Sequence, residues 1–453
     1  MTTGTTAVPS ARPGAEPPEP GPAPGRDRYF DLLRAIALFR VVLYHLVGWA
    51  WLPLVFPSMG VMFALAGNLM ARSLGGVGSR WGGVACRWLS PGRVVLSRQG
   101  SAMAPSSALP DSALAPLLPP PHLLPTRPKR PAVQVVRGRM RRLLPPLWVL
   151  GAVGVTGMVL QGWGPDAEGH PGWWWTHLLF WIVPVSDPPY AADGLAGVPG
   201  LLDGSWPEDL AGPLWYIRAY LWYVLLSPLL LRALRKAPVV TLVAPLALSA
   251  VLAVEALPLP VRIDSALTDF TTFGACWLLG MAHQEGILRR LPRYIVPSVA
   301  PVIMAVGLWW AVHEGFRTGF DLDSIPVAQA LWSFGAVLLL LHLSPSWSVW
   351  PPKLRAWDST ITLLNSRAVT VYLWSNVCIL MAATLWDQLW DIGFLEERFS
   401  WLLDSWVPVL VLAWALIAGC VVLFGWAEDL AARRRPRLWP NGAPRAKRRS
   451  HQP

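Results

Sequence analysis

The stretch RYFDLLRAIALFRVVLYHLVGW, residues 28–49, decides how the rest of the chain is read. It is apolar over a length that suits a membrane-spanning helix, yet it carries Asp31, Arg34, Arg40 and His45. Ionisable groups inside a span are expensive, so they face a protein interior or a water-filled cavity. The helix is therefore expected to be one member of a bundle. Arg34 and His45 stand eleven residues apart. At about 100° per residue that spacing is three turns plus roughly 20°, so both project from one face, roughly 16 Å apart along the axis. Asp31 is three residues before Arg34, close enough to pair with it, whereas Arg40 points elsewhere.

This spacing fits a division of labour. Arg34, near one edge of the membrane, could hold a phosphate or carboxylate. His45, deeper in the span, could act as a general base through a neutral imidazole. It fits a plainer reading equally well. Arg34 could be an anchor paired with Asp31, and His45 could hydrogen-bond at a helix interface.

Composition extends the membrane reading to the whole chain. Of 453 residues, 53% are hydrophobic and only 14% are charged, well under the quarter or so usual in soluble domains. Ten apolar blocks are long enough to count as spans, at residues 30–55, 57–74, 143–161, 213–234, 238–257, 266–283, 294–313, 326–343, 368–386 and 405–426. The expected fold is an all-α polytopic bundle of about ten transmembrane helices. The net charge of +11 sits between and beyond these blocks and accompanies no nucleic-acid motif, so nucleic acid is not an expected partner.

The placement of charge gives one consistent orientation. Arg137, Arg139, Arg141, Arg142, Arg232, Arg235, Lys236, Arg289, Arg290, Arg293, Lys353, Arg355 and Arg433 to Arg435 all fall on one side of ten spans. By the positive-inside rule that side is cytoplasmic, with both termini there. Between residues 162 and 212 there is no Lys or Arg but seven acidic residues. The block 173–185, WWWTHLLFWIVPV, is too short to span and is expected as an interfacial or re-entrant segment on the outer side. Arg218, near the outer end of the fourth span, is expected to snorkel to the headgroups, and Asp269 to be solvated.

The remaining stretches are expected to be unstructured. Residues 1–28 are rich in Pro, Gly and Ala with no apolar core, so they read as a disordered tail and not as a signal peptide. Residues 75–136 read as a disordered cytoplasmic insertion within a membrane domain spanning 29–426, and 427–453 as a basic disordered tail. Cys86, Cys276, Cys378 and Cys420 form no CxxC pair, so small buried hydrophobes are expected, with no metal site.

Five segments in order give the chain a family likeness. Residues 28–45, with Arg34, ten intervening residues and His45, resemble the opening helix of the acyltransferase-3 family of integral membrane acyltransferases. FPSMGVMFALAGNLMARSL (56–74) looks like that family's second helix, with Ala66-Gly67 where the family has Ser-Gly. RGRMRRLLPPLWVL (137–150) is similar to its third, Arg139 and Arg142 fitting an Arg-x-x-Arg element. GPLWYIRAYLWYVLLSPLL (212–230) is similar to its Trp-containing mid-chain helix. SRAVTVYLWSNVCIL (366–380) resembles its late helix, with Ser375 where the family often has His.

The resemblance implies acyl transfer from a donor such as acyl-CoA to a hydroxyl of a glycan, a lipid-linked sugar or an exported small molecule. The expected site has His45 as base beside Arg34, and Arg139 and Arg142 on the donor phosphates. Asp31 is expected to support Arg34, and Trp215 or Asn376 to stabilise an oxyanion. No permanently bound cofactor is expected; the partners are acyl-CoA, the acceptor and the bilayer, in the cell membrane. A transporter or flippase for a lipid-linked or acylated product, or a catalytically dead relative, is the alternative.

Overall fold

The computed structural model describes residues 27–75, 131–164, 172–254, 258–318, 321–345, 347 and 349–437. Helix α1 (Arg28–Val47) opens on Asp27, whose carboxylate accepts from the Tyr29 amide at 3.0 Å. It closes on Gly48, which takes a left-handed φ of 63° and donates to the Tyr44 carbonyl, the usual glycine stop. The expected first span over 30–55 is thus two helices, since α2 (Leu52–Val55) follows the turn and α3 (Ser58–Gly75) follows that. Helix α4 (Ala132–Leu160) begins eleven residues before the expected span at 143, so the arginines lie on helix and not in a loop.

Beyond it come α5 (Leu179–Ile182), α6 (Trp206–Ala211), α7 (Leu214–Lys236), α8 (Pro238–Ala253) and α9 (Val261–Gln284). Then come α10 (Ile295–Thr318), α11 (Pro326–His342), α12 (Asp358–Ser366), α13 (Ala368–Asp387), α14 (Gly393–Leu403), α15 (Trp406–Phe424) and α16 (Trp426–Ala431). The described residues form helices and no strand ladder.

Six helical stretches are long and apolar enough to cross a membrane: Leu52–Gly75, Ala132–Leu160, Trp206–Lys236, Ile295–Glu314, Ala368–Asp391 and Trp406–Phe424. Helices α8 and α11 are apolar but shorter.

Helices α3 and α9 form the centre, packed on each other and flanked by α1, α7, α8 and α11. Their contact is backbone to backbone. A Cβ on Gly67 would lie 2.2 Å from the Trp277 carbonyl oxygen, and one on Gly280 would lie 1.8 Å from that of Ala64. Small residues permit this close approach where lipid supplies no hydrophobic drive between helices. Beside the crossing, Phe63 stacks on Phe273 and meets Tyr216 and Tyr223. Helix α10 packs on α11, which packs against α9, and α13 pairs with α15 and α1.

Two expectations for the flanking segments need redrawing. Helix α16 and residues to 437 lie in the stretch expected as tail, yet Arg367 fixes them by donating to the carbonyls of Gly425 and Arg437 and to Asp429. Residues 132–136 belong to α4, and 76–130 lie outside the described residues, as do Cys86, 1–26 and 438–453. Cys276 and Cys378 are buried free thiols, as expected.

Candidate active site

Arg34 and His45 lie on the same side of α1, with Leu38, Val41 and Val42 between them, and those three are 1%, 3% and 0% exposed. This face turns into the bundle, while Ile36 and Phe39 face outward. Arg34 donates to Asn365 Oδ1 at 3.4 Å. Asn365 in turn donates to the carbonyls of Asp31 and Ile361, both at 2.8 Å. A carboxamide on α12 therefore holds both the guanidinium and the backbone one turn before it. Asp31 is buried and pairs with Arg28 at 3.9 Å. Nothing in the sequence marked Asn365, because it belongs to a short helix outside the apolar blocks.

The structure places His45 at the end of α1. It occupies the last turn of α1, and its side chain is exposed. Its ring meets Tyr44 edge-on at 5.6 Å, and the Tyr44 hydroxyl donates to Asp321 at 2.6 Å. An accessible imidazole on an otherwise buried face can receive a proton from a substrate arriving at that end.

The Arg28 end of α1 is where the basic residues of α4 gather. Arg139 donates to the Leu69 carbonyl and to Ser73 Oγ, each at 3.1 Å, tying α4 to α3. Arg141 donates to the Ala431 carbonyl at 3.2 Å, tying α4 to α16. Arg142 is exposed, within electrostatic reach of Arg139, Arg141 and Arg434. Of the expected donor-binding pair, Arg139 spends part of its guanidinium on structure, while Arg142 is exposed. Arg434 joins them only because the segment after α15 folds back. Nearby, Asn68 lies 3.1 Å from His283 Nδ1 and donates to the Gly280 carbonyl, and Phe30 meets the His283 ring at 5.7 Å.

The two expected oxyanion donors are placed elsewhere. Trp215 stacks on Phe273 at 5.6 Å. Asn376 packs beside Gly212, and its buried Oδ1 has no hydrogen-bond partner among the described residues. No hydrogen bond or ring contact among the described residues joins either to His45. Ser375 is buried and bonded to the Tyr372 carbonyl at 2.9 Å, so its hydroxyl is spent on its own helix.

Arg218 does not snorkel. It is 2% exposed and pairs with Asp187 from the preceding loop and Asp269 of α9, with Ser265 Oγ at 3.1 Å. Asp269 is accordingly a partner and not a solvated residue. The surplus of acid in residues 162–212 was the available signal. The tryptophan-rich segment is also anchored. Trp148 donates to the Ile182 carbonyl, Trp181 to Pro189 and Trp222 to Val185, at 2.8, 2.9 and 3.1 Å.

Among the described residues, no group of three or more His, Cys, Asp or Glu could hold a metal ion. No curated protein and no solved structure matches the chain. The sequence profile of an acyltransferase domain does, over residues 27–425. A bundle with six helices long and apolar enough to cross a membrane among its described residues, matched over almost its whole length, is thus a membrane acyltransferase: the chain belongs to the acyltransferase-3 family.

Proposed function

We propose that this protein is an O-acyltransferase of the cell membrane that moves an acyl group, acetyl being the simplest, from acyl-CoA to a hydroxyl of a glycan, a lipid-linked sugar or an exported small molecule. Helices α1, α3, α4, α7, α8, α9, α10, α11, α13 and α15 would be the ten spans. They correspond one to one with the apolar blocks of the sequence, and they leave the basic loops and both termini on the cytoplasmic side. The Arg28 end of α1 is then inner and the His45 end outer.

The observation that carries this reading is the shared face of Arg34 and His45, with the basic cluster of α4 at the Arg34 end. Acyl-CoA enters from the cytoplasm, and its phosphates meet Arg142, Arg139 and Arg34, whose planar guanidinium forks suit phosphate oxygens. The acyl arm runs along the α1 face toward His45. There the acceptor hydroxyl gives its proton to the imidazole and attacks the thioester carbonyl. The new ester C–O bond forms, the C–S bond breaks, and the CoA thiolate takes the proton back from the imidazolium. Trp215 and Asn376 have a weaker claim, since neither touches His45.

The test is acyl-CoA turnover by purified protein with a pooled set of hydroxyl acceptors, comparing wild type with His45→Ala and Arg34→Ala. Acylated product lost in His45→Ala supports the assignment; wild-type turnover in both variants removes it.

A further inference from the structure

Two cysteines meet where α13 and α15 pack together. Cys378 Sγ lies 3.6 Å from Cys420 Sγ, a contact between residues 42 positions apart in the chain. The packing around them fixes this register. One turn before Cys378, Trp374 stacks on Phe424, one turn after Cys420, at 4.3 Å and 6° from parallel. The two pairings run in opposite directions along the helices, so α13 and α15 are antiparallel and the sulfurs sit on their common seam. Cys378 is 1% exposed and Cys420 is half-buried.

The surroundings of the pair decide what can reach it. Residues 368–386 and 406–424 contain no Asp, Glu, Lys, Arg or His, and both stretches are long and apolar enough to cross a membrane. On α15, Val411 and Leu423 are 65% and 63% exposed, the surface of a helix that faces lipid. A bilayer core holds no water, so glutathione and other water-soluble thiol reagents are kept from the seam, whereas a lipid-soluble oxidant is not. A buried thiol by itself behaves as a small hydrophobe. Two thiols in contact across a seam can also give up their hydrogens and join.

We propose that Cys378 and Cys420 form an oxidation site for lipid-soluble two-electron acceptors of the quinone class, closing to a disulfide that clamps α15 to α13. Two S–H bonds break and one S–S bond forms. The two electrons and two protons pass to the quinone, which leaves as the hydroquinone. Cys420, the more exposed sulfur, meets the oxidant first. The sulfurs approach by roughly 1.5 Å to reach bonding distance, which side-chain rotation and a small helix movement supply. The site stands apart from the acyl-transfer reading and does not depend on it.

Full-length protein in liposomes is treated with decylubiquinone or, separately, with oxidised glutathione. Remaining thiols are alkylated with N-ethylmaleimide, and the protein is denatured and cut with trypsin without reductant. Arg398 is the one cleavage site between the two cysteines. The disulfide therefore leaves peptides 368–398 and 399–433 joined, two hydrogens below their summed mass and parted by dithiothreitol. Decylubiquinone should join most of the protein and raise the unfolding temperature by about 5 °C. Oxidised glutathione should give about tenfold less of the joined pair. Cys420→Ser should lose both the pair and the shift, while unfolding like the wild type before oxidation. No joined pair, an equal yield with oxidised glutathione, or Cys378 joined to Cys276 as readily as to Cys420 would each overturn the site. A joined pair with no change in unfolding temperature would refute the clamp.

Discussion

The Asn365 carboxamide grips Arg34 and the Asp31 backbone together, at 3.4 and 2.8 Å. The Arg34 guanidinium, which the proposed reaction places on the acyl donor, is thereby set by a residue that need not touch substrate. Asn365→Ala should leave membrane insertion normal but lower kcat/KM for the acyl donor about tenfold, the value of one hydrogen bond to a charged group. Asn365→Asp should restore Arg34 through an ion pair while losing the bond to the Asp31 carbonyl, and should recover part of the loss. Steady-state kinetics with varied acyl-CoA checks both.

The crossing of α3 and α9 admits no side chain at its closest point. Gly280→Ala would place a Cβ 1.8 Å from a backbone oxygen, and Gly67→Ala one at 2.2 Å. Each should destabilise the bundle by about 1–3 kcal/mol or more as the helices part. Gly419→Ala, where nothing lies within 4 Å, should be neutral. Thermal unfolding in detergent of the three variants distinguishes them.

Removing Arg218 strands Asp187 and Asp269 beside each other. Arg218→Met should cost about 3 kcal/mol, the low end for breaking a buried pair because Asp187 is nearly half exposed. Adding Asp269→Asn should return part of it by removing one of the stranded charges. Unfolding midpoints of the single and double variants give the coupling.

Glu428, on α16, accepts from both the amide and the hydroxyl of Thr370 at 2.6 Å. Burial pushes its carboxyl up from 4.5 to about 7. The folded state thus holds the proton more tightly than the unfolded one, and this contribution to stability is complete below 4.5 and lost as the pH rises through about 7. Wild type should lose stability between about pH 4.5 and 7 relative to Glu428→Gln, which keeps a neutral acceptor at every pH. A pH series of unfolding temperatures on the pair reads the difference directly.

The helices were legible in the sequence because hydropathy alone marks a long apolar run. The departures come where hydropathy is blind. Gly48 ends α1 through its φ, in the middle of an apolar stretch that continues past it. The first three turns of α4 are helical although they bear Arg137 to Arg142, since an exposed helix face carries charge as readily as a loop does. Arg34, His45 and the arginines of α4 could be picked out because charge in an apolar context is rare. Asn365 could not, because its importance lies in contacts between segments far apart in sequence, and the Arg218 partners were signalled only by the surplus of acid in residues 162–212.

The tryptophan anchors of the segment around residues 182–189 have an evolutionary consequence. Each indole N–H is received by a main-chain oxygen, at Ile182, Val185 and Pro189, and every residue type supplies that oxygen. Apart from Asp187, which pairs with Arg218, the segment between residues 182 and 189 is thus freer to diversify, while its hold depends on Trp148, Trp181 and Trp222. Saturation mutagenesis should find a stretch that is permissive except at Asp187 and is held by three intolerant indoles, a surface that can be retuned without being unfastened.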